Sequence, residues 1–369
     1  MARTEDGVVF VPKVLPGELV EVEIVDRKKD YANAKIIDIV TPSADRREPE
    51  CPNFETVGCC GWDHIRYKSQ LDLKESIIRE SLARGGGIDW KEPIEKVTGP
   101  EREYRLRAAF QVRDGRLGFF REGTHDVVPI ERCKALVPVL NEFISKAAAA
   151  LEGPDLAGTE TVRAIAAPDG NAVSAVFERG RERAPWPGPK PMARIRGIDY
   201  QLRPASFFQP NRFLLEPIVA EVVKACQGGR RTLDLFCGSA LFTLQLAREC
   251  GEVIGVDRRS VRNAEWNAEH NRIGNVRFVK SSAWAFLMRN PRSADRIVLD
   301  PPRSGCGKNI IRKVAAMSPE RIIYVSCNPT TLAPEARLLL ESGYRLSKLR
   351  FLDQFPSTPH LETIAVFER

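Results

Sequence analysis

The stretch that decides the fold is Tyr324-Val325-Ser326-Cys327-Asn328-Pro329. Arg321-Ile322-Ile323 leads into it, so an apolar, β-branched run stops abruptly at Ser-Cys-Asn-Pro. That pattern predicts a buried parallel strand whose carboxyl end presents a cysteine at a sharp turn. Open α/β sheets place their chemistry at the carboxyl ends of their strands. Working outward, Arg296-Ile297-Val298-Leu299-Asp300 ends in the same way, in Asp300-Pro301-Pro302-Arg303. Further upstream, Thr232-Leu233-Asp234-Leu235-Phe236 runs into Cys237-Gly238-Ser239-Ala240. Three strands thus deliver a small-residue turn, a carboxylate and a thiol toward one edge. A lone strand-end cysteine is usually a small buried hydrophobe; the groups beside Cys327 argue against that.

Residues 230–300 read as strand, glycine turn, helix, strand, acid. The small residues after Phe236 let the backbone approach a ligand, and the amino terminus of the following helix adds positive potential. Ala240 is acceptable in this turn if its φ is negative. Val253-Ile254-Gly255-Val256-Asp257 then ends in a carboxylate placed to accept hydrogen bonds from ribose hydroxyls. NAD and S-adenosylmethionine satisfy that spacing equally.

The 369 residues allow two or three domains, each with its own core. Hydrophobic content of 43% and charged content of 28% describe a soluble globular chain. No apolar run spans a bilayer and the amino terminus shows no signal-peptide pattern, so a cytoplasmic protein without membrane contact is expected. Nine cysteines, an odd number in such a chain, argue against a disulfide framework and for metal ligands, nucleophiles or core. The net charge of +7 suits a polyanionic partner, but solubility explains it equally well.

The amino-terminal part alternates in β fashion: Val8-Val9-Phe10-Val11, Leu19 to Val25, and Ala32 to Ile39, separated by turn signals. These predict a small β-barrel. Residues 41–50 carry two prolines and five charges and read as a linker. Cys51-Pro52-Asn53-Phe54 and Gly58-Cys59-Cys60-Gly61-Trp62-Asp63-His64 follow, with no C-x-x-C pair of the kind zinc prefers. Tyr67 to Arg84 has the apolar stripe of a helix, with Gly85-Gly86-Gly87 ending it. Residues 103–135 alternate as strands, 136–151 read as a helix, and 158–205 as strands broken at Pro185-Trp186-Pro187-Gly188-Pro189. Pro204-Ala205-Ser206-Phe207-Phe208-Gln209-Pro210-Asn211 opens the last region, with Phe207 and Phe208 expected in the core and a helix from Phe213 to Cys226.

Taken in order, Asp234-Leu235-Phe236-Cys237-Gly238, Asp300-Pro301-Pro302-Arg303, Tyr324 to Pro329 with Thr331-Leu332, and Phe355 to Glu362 resemble RNA 5-methyluridine methyltransferases. Asn263 to Asn271 and Asn275-Val276-Arg277-Phe278 resemble the methyltransferase version of the nucleotide fold. The resemblance covers nearly the whole chain and is densest over 204–369. It implies an α/β protein with a Rossmann-like class I methyltransferase domain over 205–369. A central α/β region with iron–sulfur cysteines would span 43–204, and a small OB-like (TRAM-like) β-module 1–42. The Phe-Val-Pro…Leu-Pro-Gly-Glu pattern carries the TRAM likeness, entered near that module's second strand.

The resemblance also implies site residues. Gln209 occupies the position that touches the cofactor or target base, and Gln209, Phe236, Asp257 and Asp300 would line the S-adenosylmethionine site. In the family, a block reading roughly C-P-x-F-x-x-C-G-G-C-x-W-Q-H holds a [4Fe–4S] cluster. Cys51 and Cys60 match it, as do Trp62 and His64, and Cys133 matches the fourth ligand ahead of Val137-Pro138-Val139-Leu140-Asn141. Val57 stands where the second cysteine belongs, and Cys59 supplies the remaining thiol. TRAM-like residues with cluster cysteines resemble the rRNA type, implying a uridine of 23S rRNA; the T-loop uridine of tRNA is the alternative. A monomer is expected.

The chemistry asks for these residue types. Uracil C5 is too weak a nucleophile to take a methyl group unaided. A thiolate adding at C6 makes C5 nucleophilic, and a base must then remove the C5 proton so that the thiol can leave. Cys327 suits the nucleophile and Glu362 the proton acceptor, with Asp300 placed to bond the base or the donor. An amino-group methyltransferase would leave Cys327 and Glu362 without a task, and a non-catalytic RNA-binding protein would not need both.

Overall fold

The computed structural model describes every residue except Met1, Glu5, Asp6, Ser260 and Pro291. The amino-terminal strands are β1 (Ala2–Thr4), β2 (Gly7–Phe10), β3 (Leu19–Arg27) and β4 (Tyr31–Thr41), in the order β1-β2-β4-β3. Valine and isoleucine alternate with glutamate along β3, yet Leu19, Val25, Ile37 and Val40 remain more than half exposed. Residues 41–50, expected as a linker, are a strap. Arg46 donates to both carboxylate oxygens of Glu18, at 2.6 and 2.8 Å, and to Lys13 O at 2.7 Å. That bidentate pair holds the buried Glu18 carboxyl at about 2, below its usual range.

After the cysteine-rich loop comes α1 (Tyr67–Gly86), then β5 (Glu95–Val97). A six-stranded sheet follows, from β6 (Arg107–Arg113), β7 (Arg116–Phe120), β8 (Val127–Pro129), β9 (Thr161–Ala166), β10 (Val173–Arg179) and β11 (Glu182–Pro185). Its order is β11-β10-β9-β6-β7-β8, antiparallel throughout. Helix α2 (Pro138–Leu151) buries Leu140, Phe143, Ile144 and Ala147 in one core with Leu106, Phe110 and Val162. The hairpin β12 (Met192–Ile195) and β13 (Ile198–Gln201) leads into α3 (Leu215–Cys226).

The remaining elements alternate: β14 (Arg231–Leu235), α4 (Leu241–Leu246), β15 (Glu252–Asp257), α5 (Arg262–His270), β16 (Val276–Lys280), α6 (Ala283–Arg289), β17 (Arg296–Leu299), α7 (Lys308–Ala316), β18 (Arg321–Ser326), α8 (Pro329–Glu341), β19 (Arg345–Leu352) and β20 (Glu362–Glu368). They form the doubly wound sheet expected after residue 205, in the order β16-β15-β14-β17-β18-β20-β19-β5. Strands β14 to β18 are parallel, and β20 runs antiparallel between β18 and β19. Strand β5 joins β19 in parallel. Residues 67–97, grouped by sequence with the central region, therefore lie on the eight-stranded sheet.

Helix α1 runs past the expected Arg84 to Gly86, and Gly87 caps it with φ +64°. Gly85 and Gly86 serve a different purpose: a Cβ on Gly86 would meet Ala333 O of α8 at 2.7 Å, and one on Gly85 would meet Ala333 Cβ at 3.1 Å. The helices pack backbone to backbone here. Helix propensity alone says that Gly86→Ala stabilises. The contact reverses the sign, and we expect this substitution to cost about 1–3 kcal/mol in urea unfolding. A variant as stable as the parent means that α1 does not seat on α8 in this way.

Candidate active site

The strand order fixes the order of groups along one sheet edge. Asp257 ends β15, Phe236 and the glycine turn follow β14, Asp300 follows β17, and Cys327 follows β18. Glu362 begins the antiparallel β20, and the register pairs Ser326 with Thr363. The residues after Cys327 hold its turn. Asn328 caps α8 by accepting from Thr330 N at 3.1 Å, while Pro329 occupies the first turn, where no backbone donor is needed. Asn328 Nδ2 donates to Arg303 O at 3.0 Å, and Thr331 Oγ1 to the same oxygen at 3.4 Å. The Asp-Pro-Pro-Arg and Ser-Cys-Asn-Pro turns are thus stapled together.

Electrostatics bind these residues into one unit. Burial, then Asp234, raises the Asp300 carboxyl to about 8. Burial and Asp300 hold Glu362 well above the usual carboxylate range. Burial, Glu362 and Asp300 push the Cys327 thiol up to about 11. Arg303 opposes both of the last two shifts. The sequence offered Arg303 within the Asp-Pro-Pro-Arg motif and gave it no role; its standing as the cation facing thiol and base depends on tertiary placement.

The turn after β14 is built on unusual backbone. Phe236, Gly238 and Ala240 have φ of +71°, +54° and +67°. The condition of a negative φ at Ala240 is not met: an alanine occupies a left-handed position that suits glycine, at a cost of about 1–2 kcal/mol. Asp257 Oδ2 accepts from Gly238 N at 3.1 Å and Oδ1 from Arg259 N at 2.7 Å, so the carboxylate braces the turn. Ser239 Oγ donates to Phe207 O at 3.0 Å, tying the turn to the Phe-Phe-Gln segment. Gln209 and Phe208 are buried there, but Phe207, expected in the core, is half exposed beneath the Arg107 guanidinium, 5.6 Å from its ring centre. A cleft of about 330 Å³ opens beside it, lined by Arg107, Arg163, Arg183, Arg259 and Glu178, the last paired with Arg163 at 2.8 Å and with Arg183 at 3.4 Å. Burial, with Arg105, Arg163 and Arg259 nearby, lowers Arg107 to about 10.

The cysteine-rich loop lies apart from this edge. Cys59 Sγ is 3.9 Å from Cys60 Sγ, and Cys51 shares a hydrogen bond with Cys60. That bond and burial hold the Cys51 thiol well above its usual value, and burial does the same for Cys133, which feels Cys51. Val57 is buried and bridges to Arg121, leaving Cys59 as the thiol beside Cys60. Among the described residues, no group of three or more His, Cys, Asp or Glu is arranged to hold a metal ion. Among them, too, no helix is long and apolar enough to cross a membrane.

A family profile described as tRNA (uracil-5-)-methyltransferase matches residues 192–369, and the TRAM domain profile matches residues 1–37. The chain is 31% identical to the 23S rRNA (uracil(1939)-C(5))-methyltransferase RlmD of Pectobacterium atrosepticum, over 100% of this chain and 90% of that protein. It is 33% identical to the protein of that name from Alkalilimnicola ehrlichii, over 100% and 93% of the two chains. Among solved structures, the Pyrococcus abyssi tRNA (uracil-54, C5)-methyltransferase in complex with S-adenosyl-L-homocysteine is similar in fold, with a TM-score of 0.80. It is 24% identical, with 99% of this chain and 96% of that one covered.

The raised thiol sets a pH dependence. With Cys327 pushed up to about 11, the RNA-free protein keeps it neutral below that pH. At pH 8 about one thiol in a thousand is ionised, against about one in four for a free cysteine. Alkylation of Cys327 by iodoacetamide, followed by peptide mass mapping, should accelerate about tenfold per pH unit between pH 7 and 10. A plateau near pH 8.5 contradicts the electrostatic account of the site.

Proposed function

The chain belongs to the RNA uracil-C5 methyltransferase family, whose members use S-adenosylmethionine, and we propose that its substrate is a uridine of 23S rRNA. Both full-length relatives described above carry that activity in their names, and the TRAM match accompanies it. The T-loop uridine of tRNA is the second reading, favoured by the name of the matching methyltransferase profile. The arginine-lined cleft beside Phe207 suits a phosphodiester strand, since clustered guanidiniums bind phosphates and an exposed ring accepts a stacked base. Work on ribosomal RNA suits a cytoplasmic protein, and every group given a role lies on one chain, which is what a monomer requires.

The observation that carries the mechanism is the register pairing Ser326 with Thr363, which sets Cys327 beside Glu362. The target uridine leaves its stack to enter the edge. Cys327 gives its proton to solvent and its sulfur bonds to C6; the π pair of C5=C6 shifts to C5 and attacks the donor's methyl carbon, whose bond to the sulfonium breaks, leaving the neutral thioether of S-adenosylhomocysteine. Glu362, as carboxylate, then takes the C5 proton. The C5=C6 bond re-forms and the C6–sulfur bond breaks, returning the thiolate. Arg303 offsets the two negative charges that this cycle requires at Cys327 and Glu362. Gln209, Phe236, Asp257 and Asp300 line the donor side, with Asp257 toward the ribose.

The two catalytic substitutions should fail differently. Cys327→Ala should abolish methylation while still binding RNA. Glu362→Gln should add, transfer the methyl and stall, because an amide cannot take the C5 proton. A methylated covalent protein–RNA adduct should then appear on a denaturing gel, as it should for the parent with 5-fluorouridine RNA. No adduct in either experiment, while the parent methylates normal RNA, sinks the mechanism.

Cys51, Cys59, Cys60 and Cys133 would hold a [4Fe–4S] cluster. Neighbouring thiols and burial hold Cys51, Cys60 and Cys133 above the usual thiol value, and Cys59 lies 3.9 Å from Cys60 at its sulfur, a donor set that the cationic core of a cluster would relieve. Several irons occupy more space than one, so such thiols need not converge on a point. Anaerobically purified protein should contain about four irons per chain. Cys59→Ser should lose them; iron retained in that variant excludes Cys59 as a ligand, and a colourless anaerobic protein excludes the cluster.

A further inference from the structure

Glu362 is delivered by residues 353–361, a segment without regular structure between β19 and β20. The hydrogen bonds within it are few. Gln354 is fully buried, yet among the described residues neither of its side-chain polar atoms has a hydrogen-bond partner, and Asp353 Oδ2 has none either. Ser357, also buried, holds φ +61°, a conformation that serine adopts only under constraint. The constraint comes from the cysteine-rich loop and α1, almost three hundred residues away along the chain (|i−j| = 287).

Three hydrogen bonds to Ser357 make it. Trp62 N donates to Ser357 O at 3.0 Å. Ser357 N donates to Gln70 Oε1 at 2.8 Å, while Gln70 Nε2 donates back to Ile65 O at 2.9 Å and Trp62 O at 3.3 Å. Ser357 Oγ donates to Asp63 Oδ1 at 3.3 Å. Asp63 Oδ2 in turn accepts from Cys51 N at 2.8 Å. Beside these, Tyr104 Oη donates to Pro356 O at 3.3 Å, and Lys74 Nζ donates to Asp353 Oδ1 at 2.6 Å and Phe355 O at 3.0 Å. Asp63 thus bridges the backbone of one cysteine to the loop that ends in Glu362. Arg47 and Lys134 also donate to Asp63 Oδ1, which fixes the carboxylate between them and Ser357.

We infer that Gln70 and Asp63, acting through Ser357, are positioning residues for the proton-removal step: they set where Glu362 stands, and thereby couple the cysteine-rich loop to catalysis. The inference rests on Glu362 as acceptor of the C5 proton. Cys327 sits on β18 and its own stapled turn, outside this clamp. A loosened clamp should therefore spare sulfur addition and methyl transfer and slow only the elimination, in which the C5 proton passes to Glu362 and the C6–sulfur bond breaks.

Gln70→Leu removes the acceptor of Ser357 N–H, and Ser357→Ala removes only the bond to Asp63. In single-turnover reactions with radiolabelled S-adenosylmethionine, both should transfer the methyl group at about the parental rate. Release of methylated RNA should fall about 10- to 100-fold for Gln70→Leu, the effect of displacing a reacting group by about 1 Å, and less for Ser357→Ala. Both should accumulate the covalent adduct. A general loss of folding lowers transfer and release together and gives no adduct. Should Gln70→Leu fail to fold, Ser357→Ala decides alone. If either variant melts with the parent, releases product at the parental rate and leaves no adduct while Glu362→Gln traps one, the clamp is overturned. If Glu362→Gln traps none, the assignment of Glu362 fails first, and the clamp, defined by that role, falls with it.

Discussion

One strand running the wrong way organises this molecule. In a sheet of parallel strands, only carboxyl ends reach the ligand edge, so every group there must follow a strand. Strand β20, inserted antiparallel between β18 and β19, presents its first residue at that edge instead. Glu362 thereby stands beside Cys327 while both belong to rigid, hydrogen-bonded backbone. The same insertion sinks the carboxyl among buried strands, which is why Asp300 and Glu362 are both held toward their protonated forms. Dry surroundings strengthen each charge placed there, and Arg303, at the exposed rim, opposes the upward shifts of Cys327 and Glu362.

The cost of this arrangement appears where the central region meets the sheet. Lys74 and Asp353 form an ion pair with both side chains fully buried. Burial lowers the Lys74 pKa even with Asp353 beside it. Such a pair contributes little net stability, because desolvation consumes most of the attraction, but stranding one partner costs about 3–5 kcal/mol. What it supplies is position: α1 cannot slide along α8 without separating the charges, and the close contact of Gly86 with Ala333 permits no second seating.

The catalytic half was largely readable in advance because its signals are local. Strand ends at Asp300 and Cys327 follow from β-branched runs that stop at Pro or Asn, and the one at Asp257 from an apolar run that stops at a carboxylate and two arginines. The rest depends on partners distant in sequence. Glu95–Val97 is charged and three residues long, and nothing in it announces an edge strand of a sheet formed 250 residues later. Phe207 has the composition of a core residue and lies at the surface, because Arg107 provides its cover. Ala240 tolerates a glycine conformation within a turn braced by Asp257. Serine carries no signature for the left-handed turn at Ser357, which only the donors and acceptors around it reveal.

Strand β5 also bears on how the chain is made. The outer edge of β19 is closed by three residues that leave the ribosome long before β19 itself exists. During synthesis they wait unpaired, with α1 and its buried Ile78 and Leu82, for a surface that the last helices and strands provide. The carboxyl-terminal half, expressed alone, would show an open strand edge and a bare apolar groove on α8, the combination that invites sheet-to-sheet aggregation. Long-range closure of this kind slows folding. The boundary expected near residue 205 is therefore not one of cooperative folding: the eight-stranded sheet reaches completion only when residues 67–97 have been folded onto it.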